Sequence, residues 1–275
     1  MDDVASLLVD SQIAAARCVA RVASAIATGA EAMAQTVSGG GVLYFVAAGS
    51  SGLMAAADAQ ELGGTFSIPA RQIRILMAGG LPTGVEMPGS TEDGTDGLHA
   101  GLASLGPSDT VIAVSASGST RYTLEAIEIA RSAGARIIGI ANNPGSALLQ
   151  GSDIAIALVT PPEVLSGSTR LGAGTAQKIA LNSLSTAMAV ALGHIHDGMM
   201  VNLRADNAKL RARAAGIVSR IAQVDAGAAE VALKQARGEV KLATLIAAQS
   251  VSLQDAQMRL AQANGRLRVA LAQSA

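Results

Sequence analysis

The chain has 275 residues, with 20 Lys and Arg against 21 Asp and Glu, a net charge of −1 and no block of like charge. This balance excludes an electrostatic footprint for nucleic acid or for an anionic membrane surface. Half the residues are apolar, but with two Tyr, two Phe and no Trp there is little to stack on bases, and the core must be built from small aliphatic side chains. The length suits one large domain, or an α/β domain with a small appendage. The single cysteine, Cys18, has no internal partner, so a reducing compartment is expected, with Cys18 as a small core residue on a helix. Asp2 and Asp3 occupy the place of a basic leader, so no signal peptide is expected. No window of about 20 residues is apolar without breaks, so no transmembrane helix is expected either. The cytoplasm is the expected location.

In chain order, residues 4–37 read as helix, with Val4, Leu7, Leu8, Ile13, Val19, Val22 and Ile26 at helical spacing and no proline. Ser38-Gly39-Gly40-Gly41 ends that helix. Residues 42–46 read as a first strand, 48–52 as a glycine-serine turn, and the alanine-rich stretch after it as a helix carrying Glu61. A second strand covers 73–77. Residues 81–97 are irregular and acidic, with Glu86, Glu92, Asp93 and Asp96; a polar segment of this length is more often functional than decorative. Strands at 111–114, 137–140 and 154–159 follow, ending respectively in SASGST, ANNPGS and TPPEVLSGSTRLGAGTAQK. Helices are expected over 121–132 and 174–193. Alternation at this spacing predicts an α/β fold, a doubly wound parallel sheet of about five strands with helices on both faces. Beyond Asn202 there are helix formers only. The spacing of Asp225, 250–252 and Asn264-Gly265 predicts one helix leaving the sheet and then a small three-helix unit. The expected division is a helical segment 1–37, a sheet domain 38–221 and a C-terminal unit 222–275.

Two turns carry the chemical signal. At 48–52 and 115–120 a strand feeds a Ser/Thr-rich turn that opens a helix. The hydroxyls of Ser50, Ser51, Ser115, Ser117, Ser119 and Thr120, with nearby N–H groups at a helix N-terminus, can surround a phosphate without a lysine. For any one of these serines taken alone, an N-cap or turn role is the better explanation; the case rests on the two turns together. With no Walker-type lysine and no G-x-G-x-x-G, a sugar-phosphate pocket is preferred over a nucleotide site. His99, His194 and His196 are too few and too scattered for a metal site, and no cofactor is expected.

SASGST after an apolar strand resembles the phosphate loop of sugar isomerase (SIS) domains. A longer match, in family order over about residues 38–215, is to the N-acetylmuramic acid 6-phosphate etherases and the related glucokinase regulatory proteins. The matching segments are SGGGVLYFVAAGSSG, DAQE, MAGG, TEDG, GIANNPGS, PPEVLSGSTRLGAGTAQK and MVNLRADNAKLRARA. The resemblance implies a SIS-type sheet and cleavage of the ether joining D-lactate to carbon 3 of an amino-sugar phosphate. The implied route is elimination then addition: a base takes the carbon 2 proton, an acid protonates the departing lactate, and water adds. Two carboxyl groups with opposite protonation suffice for this, without a metal. The family's pair maps onto Glu61 in DAQE, assigned as the acid, and Glu92 in TEDG, assigned as the base. Glu163, Ser166, Ser168 and Lys178 also match family positions. Lys178 is placed to neutralise phosphate or a lactate carboxylate, or is simply a lysine on a helix surface. With its helix starting near Ser51, Glu61 lies roughly 15 Å along it, too far to touch a phosphate at that helix's start. The resemblance implies a homodimer with a shared site.

The sequence departs from the family at several points. An arginine usual in the first turn is Leu53, a lysine usual after Arg170-Leu171 is Gly172, and Gly198 and Asn202 replace an asparagine and an aspartate. The cysteine and prolines usual after the first glutamate read Leu62-Gly63-Gly64, and the N-terminal segment is shortened. One charged hydrogen bond to a ligand is commonly worth about 1.5–3 kcal/mol, enough to alter substrate preference. An aldose–ketose isomerase using a similar carbon 2 base, and a non-catalytic sugar-phosphate sensor, remain as alternatives.

Overall fold

The computed structural model describes residues 1–85, 91 and 94–273. Helix α1 (Asp2–Cys18) is followed by a 3₁₀ turn at Val19–Val22 and α2 (Ala23–Ser38). Then come β1 (Leu43–Ala47), α3 (Gly49–Phe66), β2 (Ile73–Met77), α4 (Leu98–Gly101), β3 (Thr110–Ser115), α5 (Arg121–Ser132), β4 (Arg136–Ala141), α6 (Ala147–Gln150) and β5 (Ile154–Ala157). Helix α7 (Gly172–Ala191), β6 (Ile195–His196) and β7 (Met199–Met200) lead to α8 (Ala208–Ala222), α9 (Ala226–Gln235), α10 (Val240–Gln249), α11 (Leu253–Gln262) and α12 (Leu267–Ala272). The chain divides into two compact units, one of residues 1–60 and 70–188, the other of 61–69 and 189–275.

The first unit holds a five-stranded parallel sheet in the order β2-β1-β3-β4-β5. Strands β1 and β3 are buried along their whole length, as expected where helices cover both faces. Alternate residues point to opposite faces. Tyr44, Val46, Val111 and Ala113 pack with Leu98, Tyr122, Ala126 and Ile127 from α4 and α5. On the other face Phe45, Ile112, Ile138 and Ile140 are fully buried. Here Gly29 of α2 sits so close that a Cβ would come within 2.7 Å of Leu184 on α7 and 3.6 Å of Ile138. Each such fully buried aliphatic side chain contributes about 1.5–3 kcal/mol.

The helix expected over 4–37 is broken at Val19–Val22. Taken together Asp2–Ser38 is long and apolar enough, by length and composition, to cross a membrane, which reading the windows for breaks did not anticipate. Its second half, α2, buries Ile26, Ala30 and Met33, whereas α1 leaves Val4, Leu7, Leu8 and Ile13 exposed. Cys18, at the end of α1, is free and buried, and burial pushes its thiol pKa up.

In the second unit, β6 and β7 form a short antiparallel ladder and α8 to α12 enclose their own core around Ile217, Ala232, Leu242, Leu245 and Ala256. Four helices follow Ala222 where the punctuation suggested three. The additional break is at Arg237-Gly238, both with positive φ (55° and 88°), and an arginine in that conformation carries no turn signal. Asp225 and Ser252 cap α9 and α11 as their residue types favour. Lys241 is buried and donates to Gly265 O at 2.8 Å; burial brings its pKa down to about 8. Burial, with the Lys241 charge beside it, holds His194 down to about 4.

Candidate active site

The strand order decides which turns meet. β1 has β2 on one side and β3 on the other, so the chain leaves β1 and β3 in opposite directions and a crevice opens between their carboxyl ends, the usual ligand position in open α/β sheets. Ala47 pairs in register with Val114. Neighbouring strands lie about 4.8 Å apart, so the turns at 48–52 and 115–120 leave the sheet side by side. The sequence reading found both turns; their adjacency comes from the sheet.

The second turn is internally braced. Ser115 Oγ lies 2.8 Å from Thr120 Oγ1 and 3.3 Å from Ser117 Oγ, and it accepts the Gly118 N–H at 3.0 Å. Ser117 Oγ accepts both the backbone N–H and the hydroxyl of Ser119, at 3.2 and 3.0 Å. Ser115 is buried, while Ser117 and Ser119 face solvent. Thr120 is the N-cap of α5 but its side chain makes no capping bond, which leaves the first N–H groups of that helix open to an anion. Gly118 has φ 68°, and a Cβ there would lie 2.1 Å from Ser146 Oγ. Only glycine fits this position, on both counts. In the first turn, Ser50 is half-buried and Ser51 buried, both in the opening turn of α3.

Glu163 has a different setting from a free substrate-binding carboxylate. Its two oxygens accept the N–H groups of Gly172 (2.9 Å) and Ala173 (2.8 Å) at the start of α7. Ser168 is half-buried in the tight turn before that helix, its N–H donating to Leu165 O at 2.9 Å. Lys178 is exposed on α7 and shares a hollow of about 200 Å³ with Arg170, Met54 and Thr175. Glu61 is exposed on α3, twelve residues beyond Gly49 and so about 18 Å along the axis. Glu92 lies outside the described residues. Its TEDG neighbours Thr91 and Gly94 line a hollow of about 480 Å³ with Gly79 and Gly80, just past β2. A Cβ on Gly79 would meet the Thr91 side chain at 2.7 Å.

Two contacts are made by segments that the sequence matches to the family, DAQE and GIANNPGS, without indicating what they touch. Asp58, three residues before Glu61, is buried, and its Oδ1 accepts from Asn182 Nδ2 (2.7 Å) and Ser185 Oγ (2.9 Å), tying α3 to α7. The ANNPGS loop after β4 docks on the SASGST turn: Asn142 N–H donates to Ala116 O and Leu148 N–H to Gly118 O, both at 3.0 Å. Beyond the family match, a polar residue in an apolar helix and a second glycine loop were the local signals for these. Among the described residues no group of three or more His, Cys, Asp or Glu is placed to hold a metal ion.

A family model for the SIS domain matches residues 87–187. The N-acetylmuramic acid 6-phosphate etherase of Deinococcus radiodurans is 42% identical over 274 residues, covering 98% of this chain and 89% of the relative. That of Streptomyces coelicolor is 40% identical over 272 residues, covering 98% and 88%. Among solved structures, an E. coli CFT073 protein in complex with A5P aligns with TM-score 0.54 and 16% identity over 72% of this chain and 95% of that one. The Vibrio vulnificus NanR protein complexed with ManNAc-6P aligns with TM-score 0.50 and 15% identity over 68% and 62%. These two likenesses show the fold alone, the parallel sheet with its helical layers. The identity to the etherases runs across nearly the whole of both chains, and on that basis this chain belongs to the N-acetylmuramic acid 6-phosphate etherase family, built on a SIS domain.

Proposed function

We propose that this protein is a carbon–oxygen lyase that cleaves the lactyl ether of N-acetylmuramic acid 6-phosphate, giving N-acetylglucosamine 6-phosphate and D-lactate. The observation that carries the reading is the pair of serine-rich turns side by side at the carboxyl ends of β1 and β3. The phosphate sits on the 115–120 turn, against the uncapped N-terminus of α5, with Ser117 and Ser119 presenting hydroxyls. Ser50 and Ser51 face it from the neighbouring turn. Arg170 and Lys178, sharing one hollow, supply positive charge for the lactate carboxylate that Leu53 and Gly172 no longer provide. Ser168, in the turn before α7, contributes to substrate binding, and Glu163 acts by holding the start of that helix.

Glu92 takes the carbon 2 proton of the open-chain sugar. Glu61 serves as the acid that gives a proton to the departing lactate oxygen. Water then adds at carbon 3, with the same two groups in reversed protonation. The protein acts as a cytoplasmic homodimer with a shared site. The span of α3 between its serine turn and Glu61 supports the sharing, and the exposed apolar residues of α1 offer a second copy a surface to cover.

The test is incubation with N-acetylmuramic acid 6-phosphate in deuterated water, following lactate release and deuterium at carbon 2 by NMR. Lactate and label together from the wild type, both abolished in Glu92→Ala, are expected. Glu61→Ala should abolish lactate release while leaving exchange at carbon 2. No lactate from a folded wild-type protein that binds the substrate would refute the proposal.

A further inference from the structure

At the carboxyl ends of β4 and β5, beside the phosphate turn, there is a polar chain to which no role has yet been given. Gln177, on α7, is 1% exposed. Its Nε2 donates to Asn142 Oδ1 at 2.9 Å. Its own Oε1 is buried with no hydrogen-bond partner among the described residues. A buried amide with one end unpaired is destabilising, and a leucine of similar size would avoid that cost. What the glutamine does secure is the orientation of one half-buried side chain, Asn142.

With Oδ1 taken by Gln177, Asn142 must turn its Nδ2 the other way. Nδ2 lies 3.5 Å from Thr160 Oγ1, at the outer limit of hydrogen bonding, so its donor capacity is largely unused. The backbone of Asn142 is fixed as well, because its N–H donates to Ala116 O in the SASGST turn. Ser146, four residues on, packs its Oγ against Gly118 in that turn and is likewise unpartnered among the described residues. A fixed donor therefore stands one strand along from the 115–120 turn, on the residue that follows Ala141, the register partner of Ser115.

We propose that Asn142 donates a hydrogen bond to a sugar oxygen of the bound amino-sugar phosphate, and that Gln177 is the positioning residue that keeps the Asn142 amide in its donating orientation. The inference rests on the sugar-phosphate reading of the 115–120 turn. It predicts recognition of the sugar in addition to the phosphate, which separates the two.

The experiment compares affinities for N-acetylglucosamine 6-phosphate and for inorganic phosphate by calorimetry, in wild type, Asn142→Ala, Asn142→Asp, Gln177→Leu and the double variant Asn142→Ala/Gln177→Leu. Asn142→Ala should weaken sugar-phosphate binding by about tenfold and leave inorganic phosphate within twofold. Asn142→Asp keeps an oxygen for Gln177 Nε2 but has no donor, so it should fold as the wild type does and lose at least as much sugar-phosphate affinity. Its added negative charge repels any phosphate, so the loss is read against inorganic phosphate: sugar-phosphate affinity should fall by clearly more than inorganic-phosphate affinity, whereas a purely structural asparagine would lower both alike. Gln177→Leu should match Asn142→Ala, and the double variant should lose no more than either single one, since both changes remove the same bond. If Gln177→Leu does not fold, the two Asn142 variants decide the matter alone. Wild-type affinity for the sugar phosphate from Asn142→Asp would overturn the inference while leaving the etherase reading intact. A wild type that binds phosphate and sugar phosphate equally would also overturn it. A wild type that binds neither would overturn both.

Discussion

Glu163 offers a sharp test, because its family match points to substrate whereas its geometry points to a helix. Both carboxylate oxygens accept N–H groups from the first two residues of α7, and a negative charge there also meets the positive end of a 20-residue helix. Hydrogen bonds to a charged acceptor are worth about 1.5–3 kcal/mol each. Glu163 is only half-buried, so water competes, and about 2 kcal/mol for the pair is the reasonable magnitude. Glu163→Ala should therefore lower the melting temperature by about 4–8 °C. Glu163→Gln can keep one acceptor but no charge, and should fall between the two. Differential scanning calorimetry reads the stability, and steady-state lactate release reads KM and kcat. A substrate ligand would behave in the opposite way, with KM raised and melting unchanged. An unchanged melting temperature in Glu163→Ala, with KM raised tenfold, would refute the capping argument.

Other consequences follow from single positions. Gly118→Ala must hold an L-residue at φ 68° and push Ser146 away from a 2.1 Å approach; a loss of about 2–3 kcal/mol in urea denaturation is expected, with weakened sugar-phosphate binding. Glu61→Gln, at an exposed helix position, should leave the denaturation midpoint unchanged and abolish lactate release in the NMR assay. Lys241 has a folded pKa of about 8 against 10.5 when free. Between those values the unfolded chain binds the extra proton, so stability should rise by about 3 kcal/mol from pH 8 to 10.5; Lys241→Met should flatten that slope in urea titrations. His194, at about 4 against 6.5, refuses a proton that the unfolded chain accepts. Stability should accordingly fall by about 3 kcal/mol from pH 6.5 to 4, and a flat acid limb would contradict its neutral burial.

Local pattern alone was enough to read the five strands, the helices between them, the two serine turns and the segments shared with the etherases. Each of those is written in a few consecutive residues: an apolar run, a Gly-Ser break, a helical period. The tertiary structure decided everything that depends on partners distant in the chain. The order β2-β1-β3 sets the turns at 48–52 and 115–120 side by side, and nothing in either turn names the other. Glu163 reads as a free charge until the start of α7 is folded against it, and Gln177 reads as one more helix residue until Asn142 arrives from the end of β4. The break at Arg237-Gly238 had one local signal, Gly238, but a lone glycine in a run of helix formers is also tolerated inside a helix, and the left-handed Arg237 beside it is a conformation that residue type does not announce. A side chain's type sets which bonds it is able to make, whereas which of them it makes depends on which distant segment the fold brings within 3 Å.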